Sequence, residues 1–140
     1  MARDPETTAA IRASFAVGLA VAAYGISFGA LSVAAGLDVW QTCVLSLLMF
    51  SGGSQFALVG ILATGGAAAG GAAIASAALL GTRNALYALR VAPFIGVRWP
   101  LRALAAHWTI DETTAVSTAQ PTLAGQRAGF WWTGAIIYVG

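Results

Sequence analysis

The chain has 140 residues, of which 59% are hydrophobic and only 9% are charged, whereas a soluble domain carries about 25% charged residues. A soluble fold of this size cannot keep so much apolar surface out of water, so the composition indicates an integral membrane protein. The net charge of +2 is too small to suggest a nucleic-acid partner, and the single cysteine, Cys43, excludes an internal disulfide and a thiolate metal site. We expect no metal and no cofactor.

The first hydrophobic segment carries no charge from Ala13 to Leu37, which predicts a transmembrane helix. Residues 1–11 precede it as a polar tail, and residues 12–140 form the membrane domain. Small residues recur along this helix at spacings of three, four or seven, which keeps them on one face. Small residues let helices approach closely in lipid, so this stripe predicts a packing face. The stripe consists of Ser14, Gly18, Gly25, Gly29, Ser32 and Gly36.

The next charge-free stretch, Val39–Thr82, would be about 66 Å long as one helix, which is twice the hydrocarbon thickness of a bilayer. It must therefore break, and three glycine pairs offer positions for the breaks. The pairs are Gly52-Gly53, Gly65-Gly66 and Gly70-Gly71. The last two bound a turn, GGAAAGG, after which we expect a helix over Ala72–Val91 that stops before Pro93.

The segment Trp40–Thr64 is interrupted at its centre by the polar sequence Ser-Gly-Gly-Ser-Gln. It is either one span broken in the middle or two half-helices that form a re-entrant hairpin. Either form leaves backbone groups unpaired at membrane depth, which is tolerated only against protein or a water-filled cavity. The N–H groups of a half-helix can bind an anion. This pattern predicts a substrate site; the alternative is a tight helix crossing without a ligand. The predicted residues are Ser51, Gly52, Gly53, Ser54 and Gln55.

Arg83 falls near the middle of the expected Ala72–Val91 helix. An arginine at membrane depth costs at least about 2.5–3.5 kcal/mol, so it needs a partner or a cavity. Tyr87 and Arg90 follow at helical spacing and form one polar stripe with it. We expect Arg83 and Tyr87 to contribute to the substrate site.

Residues 101–120 form a less apolar, helix-friendly segment that ends at Pro121, and Asp111 and Glu112 lie within it. Both acids are candidate partners of Arg83. Two neighbouring carboxylates in a medium of low dielectric constant repel each other, which favours a proton on one of them and could couple transport to proton movement. The alternative is an ion pair that only locks two helices together. The residues expected to share a helix face are His107, Asp111, Thr114 and Thr118. His107 is either part of the proton path or a structural hydrogen-bonding residue.

Residues 121–128 are expected to form a loop, and the last helix to begin near Gly129. Only about 13 apolar residues then remain, where a span needs about 20, so the sequence is expected to be a fragment. The positive-inside rule compares two topologies. If every segment spans, the arginines divide evenly between the two sides. If Trp40–Thr64 and 101–120 each return to their starting side, Arg3, Arg12, Arg90, Arg98, Arg102 and Arg127 all lie in the cytoplasm. The rule favours the second arrangement.

Catalytic motifs are not found in the sequence. It has no HExxH motif and no phosphate-binding loop, and the only histidine lies far along the chain from Ser51 and Ser54. We therefore expect a protein that is not an enzyme. The expected class is an all-α, polytopic integral membrane protein with at least one broken or re-entrant helix.

Four stretches of the sequence resemble motifs of the AzlC family of branched-chain amino acid exporters, in the family's order and from about Ser14 onward. The most specific is FSGGSQFA, which begins at Phe50. The others are YGISFG from Tyr24, RNALYAL from Arg83 followed by Ala92-Pro93, and Asp111-Glu112-Thr113. The chain departs from the family pattern at Asn84, where the family favours His.

The resemblance implies a bacterial inner-membrane exporter of leucine, isoleucine, valine and related amino acids, with a small AzlD-type membrane subunit as its partner. Family members are longer than this chain. ATP use would need another polypeptide, so the resemblance favours secondary transport driven by protons. In this interpretation Ser51–Gln55 and Arg83 hold the carboxylate, while Asp111 or Glu112 engages the ammonium or cycles a proton. Phe50, Phe56 and Leu58 would face the branched side chain. The alternatives are an assembly subunit without its own solute pathway and a passive channel.

Overall fold

A computed structural model describes residues 5–140, and all regular elements in that range are helical, as predicted. Two helical runs, Pro5–Ala34 and Gly52–Ile95, are long and apolar enough to cross a membrane by length and composition. The second run is not one rod, because a 3₁₀ turn lies within it. The helices are α1 Pro5–Ala34, α2 Val39–Leu48, α3 Gly52–Gly65, the 3₁₀ turn Gly66–Ala69, α4 Gly70–Gly81, α5 Arg83–Ile95, α6 Leu101–His107, α7 Asp111–Thr118 and α8 Leu123–Val139.

Helix α1 begins at Pro5, inside the segment predicted as a polar tail. Proline suits the first helical position, and Glu6 in the first turn complements the helix dipole. The helix ends at Ala34, and Gly36, two residues later, has a left-handed φ of 93°. The N–H of Gly36 bonds to the Val33 carbonyl at 3.0 Å, and the N–H of Leu37 bonds to the Ser32 carbonyl at 3.1 Å. This is a Schellman motif, so Gly36 terminates the helix, and its predicted packing role stays a prediction.

The chain divides into two compact units: the described part of Met1–Ala22 with Asn84–Gly140, and Ala23–Arg83. The second unit is built on a hairpin of α3 and α4. The predicted GGAAAGG turn is confirmed, because the 3₁₀ turn occupies it and Gly66 has a φ of 59°. Ala73 and Ala77 of α4 are buried with Leu58 and Val59 of α3. Their small side chains allow the two helices to pack closely.

Helix α2 precedes this hairpin and does not continue in line with α3. Leu58 of α3 lines one groove together with Gln41, Leu45 and Met49. In a continuous helix Gln41 and Leu58 would be about 25 Å apart, so the chain turns at the break between the helices. Asp38 caps α2, because its carboxylate accepts the Gln41 N–H at 2.8 Å.

The first unit differs from the sequence prediction at three places. Helix α5 continues through Pro93 to Ile95 instead of stopping before the proline. The 101–120 segment is two short helices, α6 and α7, and not one. Helix α8 begins at Leu123, within the segment predicted as a loop, because the Thr122 side chain accepts the N–H of Gly125 and caps it.

Helices α1 and α8 contact each other through small and hydroxyl side chains. Ser14 is fully buried, and the Thr133 hydroxyl donates to it at 2.9 Å. One turn further along α1, a Cβ placed on Gly18 would collide with the side chain of Ile136. The glycine therefore allows α8 to approach the backbone of α1.

Candidate functional site

The interruption predicted near Gly52 is present, but it falls just before the glycine pair. Helix α2 ends at Met49, Ser51 has extended backbone with φ −159° and ψ 102°, and α3 begins at Gly52. The glycine pair therefore opens α3 instead of breaking a helix. The first N–H groups of a helix have no acceptor within it. Ser51 makes no side-chain cap hydrogen bond. The Gln55 N–H bonds to the Ser51 carbonyl at 3.0 Å, so the donors at the N-terminus of α3 are those from Gly52 to Ser54.

The guanidinium of Arg83 lies against this same helix end. A Cβ built on Gly53 would be 2.6 Å from Nη2 of Arg83 and 3.4 Å from its Cζ. The sequence predicted Arg83 near the middle of one helix. Instead, Thr82 separates α4 from α5, and Arg83 is the first residue of α5. The α3–α4 hairpin brings the end of α4 back to the start of α3, which is how residues 53 and 83 meet.

The electrostatics of this arrangement are unusual. A helix N-terminus carries a partial positive charge, and basic side chains are favourable at the opposite end. Here a guanidinium and a helix N-terminus converge, so their potentials add. Backbone N–H groups and a planar guanidinium are both donors suited to a carboxylate. The site can therefore bind an anion such as a carboxylate.

The C-terminus of α2 forms the other side of the interruption and carries the opposite partial charge. Its Leu45 carbonyl accepts the Met49 N–H at 2.9 Å, and its Ser46 carbonyl accepts the Gln55 amide at 3.2 Å. Gln55 is 8% exposed, so it ties the first turn of α3 to the last turn of α2. Its predicted role as a ligand stays a prediction, because its amide nitrogen is engaged in this tie.

The two serines of the motif are also buried. Ser51 is 8% and Ser54 2% exposed. The hydroxyl of Ser54 has no hydrogen-bond partner within residues 5–140. It points toward α4, since a Cβ on Gly81 would lie 3.6 Å from it. Gly81 thus continues the small-residue stripe of Ala73 and Ala77 beside the start of α3.

An aromatic pair, Tyr24 and Phe56, flanks the N-terminus of α3. The sequence did not predict Tyr24 as a site residue. The rings of Tyr24 and Phe56 stack at 4.4 Å with an interplanar angle of 28°. A Cβ on Gly52 would be 3.6 Å from the Tyr24 ring. Tyr24 begins the YGISFG stretch, and that motif was the signal that could have placed it in the site. Phe28 adds a second ring 5.8 Å from Phe56.

Four predicted site residues belong to the unit that contains Asn84–Gly140. His107 ends α6, and its ring meets Tyr138 edge-on at 5.9 Å. Asp111 begins α7 after three non-helical residues, so the helix face predicted to carry His107 and Asp111 together does not exist. Glu112 follows in the first turn of α7, where the helix dipole stabilises negative charge. Tyr87 is partly buried on α5. The Arg83–Asp111 pair stays a prediction.

The predicted packing stripe of α1 is only partly a contact surface. Ser14, Gly18 and Ser32 are buried. Added Cβ atoms at Gly25 and Gly29 would meet nothing within 4 Å among the described residues. The stripe therefore packs near both ends of the helix, and its middle has open space beside it.

The two long apolar helical runs fit a helical membrane protein by length and composition, and the first is followed by an interrupted segment with a charged side chain at the break. Within that class the chain belongs to the AzlC protein family, whose sequence model it matches over residues 16–140. The suspected resemblance is thereby confirmed, and the protein is a membrane protein related to branched-chain amino acid transport. No curated protein and no solved structure gave a significant match.

Proposed function

We propose that this protein exports branched-chain amino acids across the bacterial inner membrane as a secondary, proton-coupled transporter, together with a small AzlD-type subunit, and that it is not an enzyme. The observation that carries the proposal is the meeting of the Arg83 guanidinium with the uncapped N-terminus of α3 at Gly53. An anion site inside an apolar protein suits the carboxylate of an amino acid.

The two helix ends at the interruption suit a zwitterion. The carboxylate binds the N–H groups of α3 and the guanidinium of Arg83. The ammonium faces the carbonyl end of α2, where the partial charge is negative. The branched side chain packs beside Tyr24 and Phe56. Opposed half-helix ends of this kind recur at the substrate sites of secondary transporters.

The lengths of the helices support a re-entrant arrangement. Helix α2 has 10 residues and α3 has 14, which correspond to about 15 Å and about 21 Å. Neither crosses the roughly 30 Å of hydrocarbon alone. Two half-helices that turn back at Met49–Ser51 would bring the break to membrane depth, where it can face a solute pathway.

For proton coupling we propose Asp111 or Glu112, with His107 as a further candidate. Asp38 is engaged as the cap of α2, and Glu6 lies in the first turn of α1. Asp111 and Glu112 are the two remaining acids among residues 5–140. In this proposal one of them exchanges a proton during the transport cycle.

Efflux from intact cells tests the function. Cells that produce the protein and its partner subunit are loaded with a leucine-containing dipeptide, and internal leucine, isoleucine, valine and methionine are followed. We expect export to lower internal leucine, an uncoupler to slow it, and Arg83→Gln to abolish it. Asp111→Asn reports on coupling, and Arg12→Gln, an exposed arginine of α1, is the control.

Each alternative gives a different result. If the intact protein with its partner fails to lower internal amino acid, the exporter proposal is lost. If the partner alone exports equally well, the chain is an assembly subunit. If leucine only equilibrates and never leaves against a gradient, the chain is a passive channel. If an uncoupler leaves export unchanged, proton coupling alone is rejected.

A further inference from the structure

A groove of about 390 Å³ lies between α5 and α6, and its lining shares no residue with the carboxylate site. Small residues create the space: Ala88 and Ala92 on α5, and Ala105 and Ala106 on α6. Along α5 the apolar floor runs from Ala88 to Ile95, a rise of about 10 Å. Thr109 contributes a hydroxyl, but that hydroxyl donates to the Ala105 carbonyl at 2.7 Å.

Positive charge is concentrated at one end of this groove. Among the lining residues that the structure describes, Arg102 carries the only charge. It lies in the first turn of α6 and is exposed. A second guanidinium reaches the same rim, because a Cβ on Gly96 would be 2.9 Å from Nη2 of Arg127. Arg127 is held there by a 2.7 Å bond from its Nε to the Phe94 carbonyl, which leaves its terminal N–H groups as donors.

The rim also has the composition of a membrane interface. Trp99, in the loop between α5 and α6, is 79% exposed, and Arg98 beside it is exposed. Exposed tryptophan and arginine are typical of the headgroup level of a bilayer. The basic end of the groove would then lie at the headgroups, and its apolar floor would lead inward among the acyl chains.

We propose that this groove binds an anionic phospholipid, with the phosphate at Arg102 and Arg127 and one acyl chain along the alanine floor of α5. Charge complementarity selects this occupant, because Arg102 in the lining and Arg127 at the rim offer two guanidinium groups and the lining residues include no carboxylate. A free amino acid would leave its ammonium without a partner here. A phosphate ion alone would make no use of the apolar floor. Basic pockets between membrane helices are known sites for anionic lipid headgroups.

Native mass spectrometry of the full chain, released from micelles that contain equimolar phosphatidylglycerol and phosphatidylcholine, tests this proposal. We expect phosphatidylglycerol to be retained in preference to phosphatidylcholine. Arg102→Gln should lower that retention roughly fivefold, the factor expected for one basic residue near an anionic surface. Arg12→Gln is the matched control and should change nothing. Ala106→Trp leaves every charge in place but fills the groove, and it should also reduce retention.

Several outcomes would overturn the proposal. Equal retention of the two lipids would remove the charge argument, and so would Arg102→Gln behaving like Arg12→Gln. If Ala106→Trp retains phosphatidylglycerol like the unsubstituted protein, the lipid does not occupy the groove. Competition by glycerophosphoglycerol, which has the headgroup without acyl chains, would show a simple anion site. The absence of any bound lipid would show that protein covers the groove. These results are independent of amino acid export.

Discussion

Glycine at position 53 allows the guanidinium of Arg83 to lie against the first turn of α3. A methyl group there would be 2.6 Å from Nη2 of Arg83. The colliding atom is at the end of a flexible side chain, so it can swing aside without unfolding the hairpin. At the neighbouring Gly52 the same methyl group would be in ordinary contact with Tyr24, at 3.6 Å. The two glycines thus form a matched pair for separating anion binding from folding.

Gly53→Ala is predicted to lower leucine export at least tenfold while the thermal stability of the protein changes little. The guanidinium would be displaced from the N–H groups of α3, so the two positive elements would no longer converge on one carboxylate. Gly52→Ala carries the same gain in helix propensity and should keep most of the export activity. Equal export by both variants would contradict a role for the Gly53–Arg83 contact.

Gln55→Met is predicted to destabilise the protein, because it leaves the Ser46 carbonyl without its 3.2 Å partner. A part-buried hydrogen bond of this kind contributes about 0.5–1.5 kcal/mol. The midpoint of thermal unfolding and the affinity for leucine should both fall, since the two half-helices lose their tie. Gln126→Met removes a comparable bond, to the Gln120 carbonyl at 3.3 Å, and should leave leucine affinity unchanged. Loss of affinity in both variants would argue against a local role for Gln55.

At the residue scale, the sequence was most informative where polar or charged residues interrupt an apolar chain. An arginine and a polar, glycine-rich interruption in an apolar chain attract attention because both are costly in a membrane, and the structure brings Arg83 and Gly53 together. Tyr24 was not placed in the site, because an aromatic residue in an apolar helix is common and only tertiary structure shows that it stacks on Phe56.

At the scale of elements, the packing of α1 depends on which part of its small-residue stripe meets another helix. A Cβ at Gly18 would collide with Ile136 of α8, whereas a Cβ at Gly25 has no neighbour within 4 Å among residues 5–140. The periodicity is the same at both positions, so the sequence alone does not distinguish them.

Gly18→Ala is predicted to lower the free energy of unfolding by about 1–3 kcal/mol, since branched Ile136 and the helix backbone cannot move apart without losing packing. Gly25→Ala should leave stability unchanged or raise it by up to about 1 kcal/mol through helix propensity. Thermal unfolding in the same detergent measures both. A Gly18→Ala protein as stable as the Gly25→Ala protein would show that α1 and α8 do not pack closely in solution.

The turn at GGAAAGG was predictable because paired glycines end helices for local reasons. Two other boundaries were not. Helix α5 continues through Pro93 because Val91 and Ile95, 1% and 6% exposed, are both held in the core, and this packing outweighs the missing N–H. The 101–120 segment breaks because the Thr113 hydroxyl donates to the Trp108 carbonyl at 2.7 Å and accepts the Ile110 N–H at 3.0 Å. A helix-friendly sequence does not reveal such a bond.

At the scale of the whole molecule, topology follows from helix length and the distribution of arginine. Helices α6 and α7 have 7 and 8 residues, about 10–12 Å each. Like α2 and α3, each is too short to cross a bilayer alone. The double re-entrant arrangement, in which Trp40–Thr64 and 101–120 each return to their starting side, requires short helices on either side of a break. That arrangement places the six arginines other than Arg83 in the cytoplasm.

Labelling of single cysteines tests this topology after replacement of the exposed Cys43. Ala67 lies in the 3₁₀ turn, and Trp99 lies in the loop after α5 and can be replaced without removing an arginine. Ala67→Cys should react with an impermeant maleimide in intact cells, and Trp99→Cys only after permeabilisation. The reverse pattern would show that every segment spans. Labelling of both from the same side would exclude the double re-entrant arrangement.

The central claim is that the N-terminus of α3 and the guanidinium of Arg83 together bind the carboxylate of an amino acid. Binding of leucine and two of its fragments to the purified protein, prepared with the proposed AzlD-type subunit, measures this most directly. Leucine should bind, 4-methylpentanoate should compete because it keeps the carboxylate, and 3-methylbutan-1-amine should not. Gly53→Ala should remove leucine binding. Equal binding of the amine and leucine, or full affinity in the Gly53→Ala protein, would contradict the account.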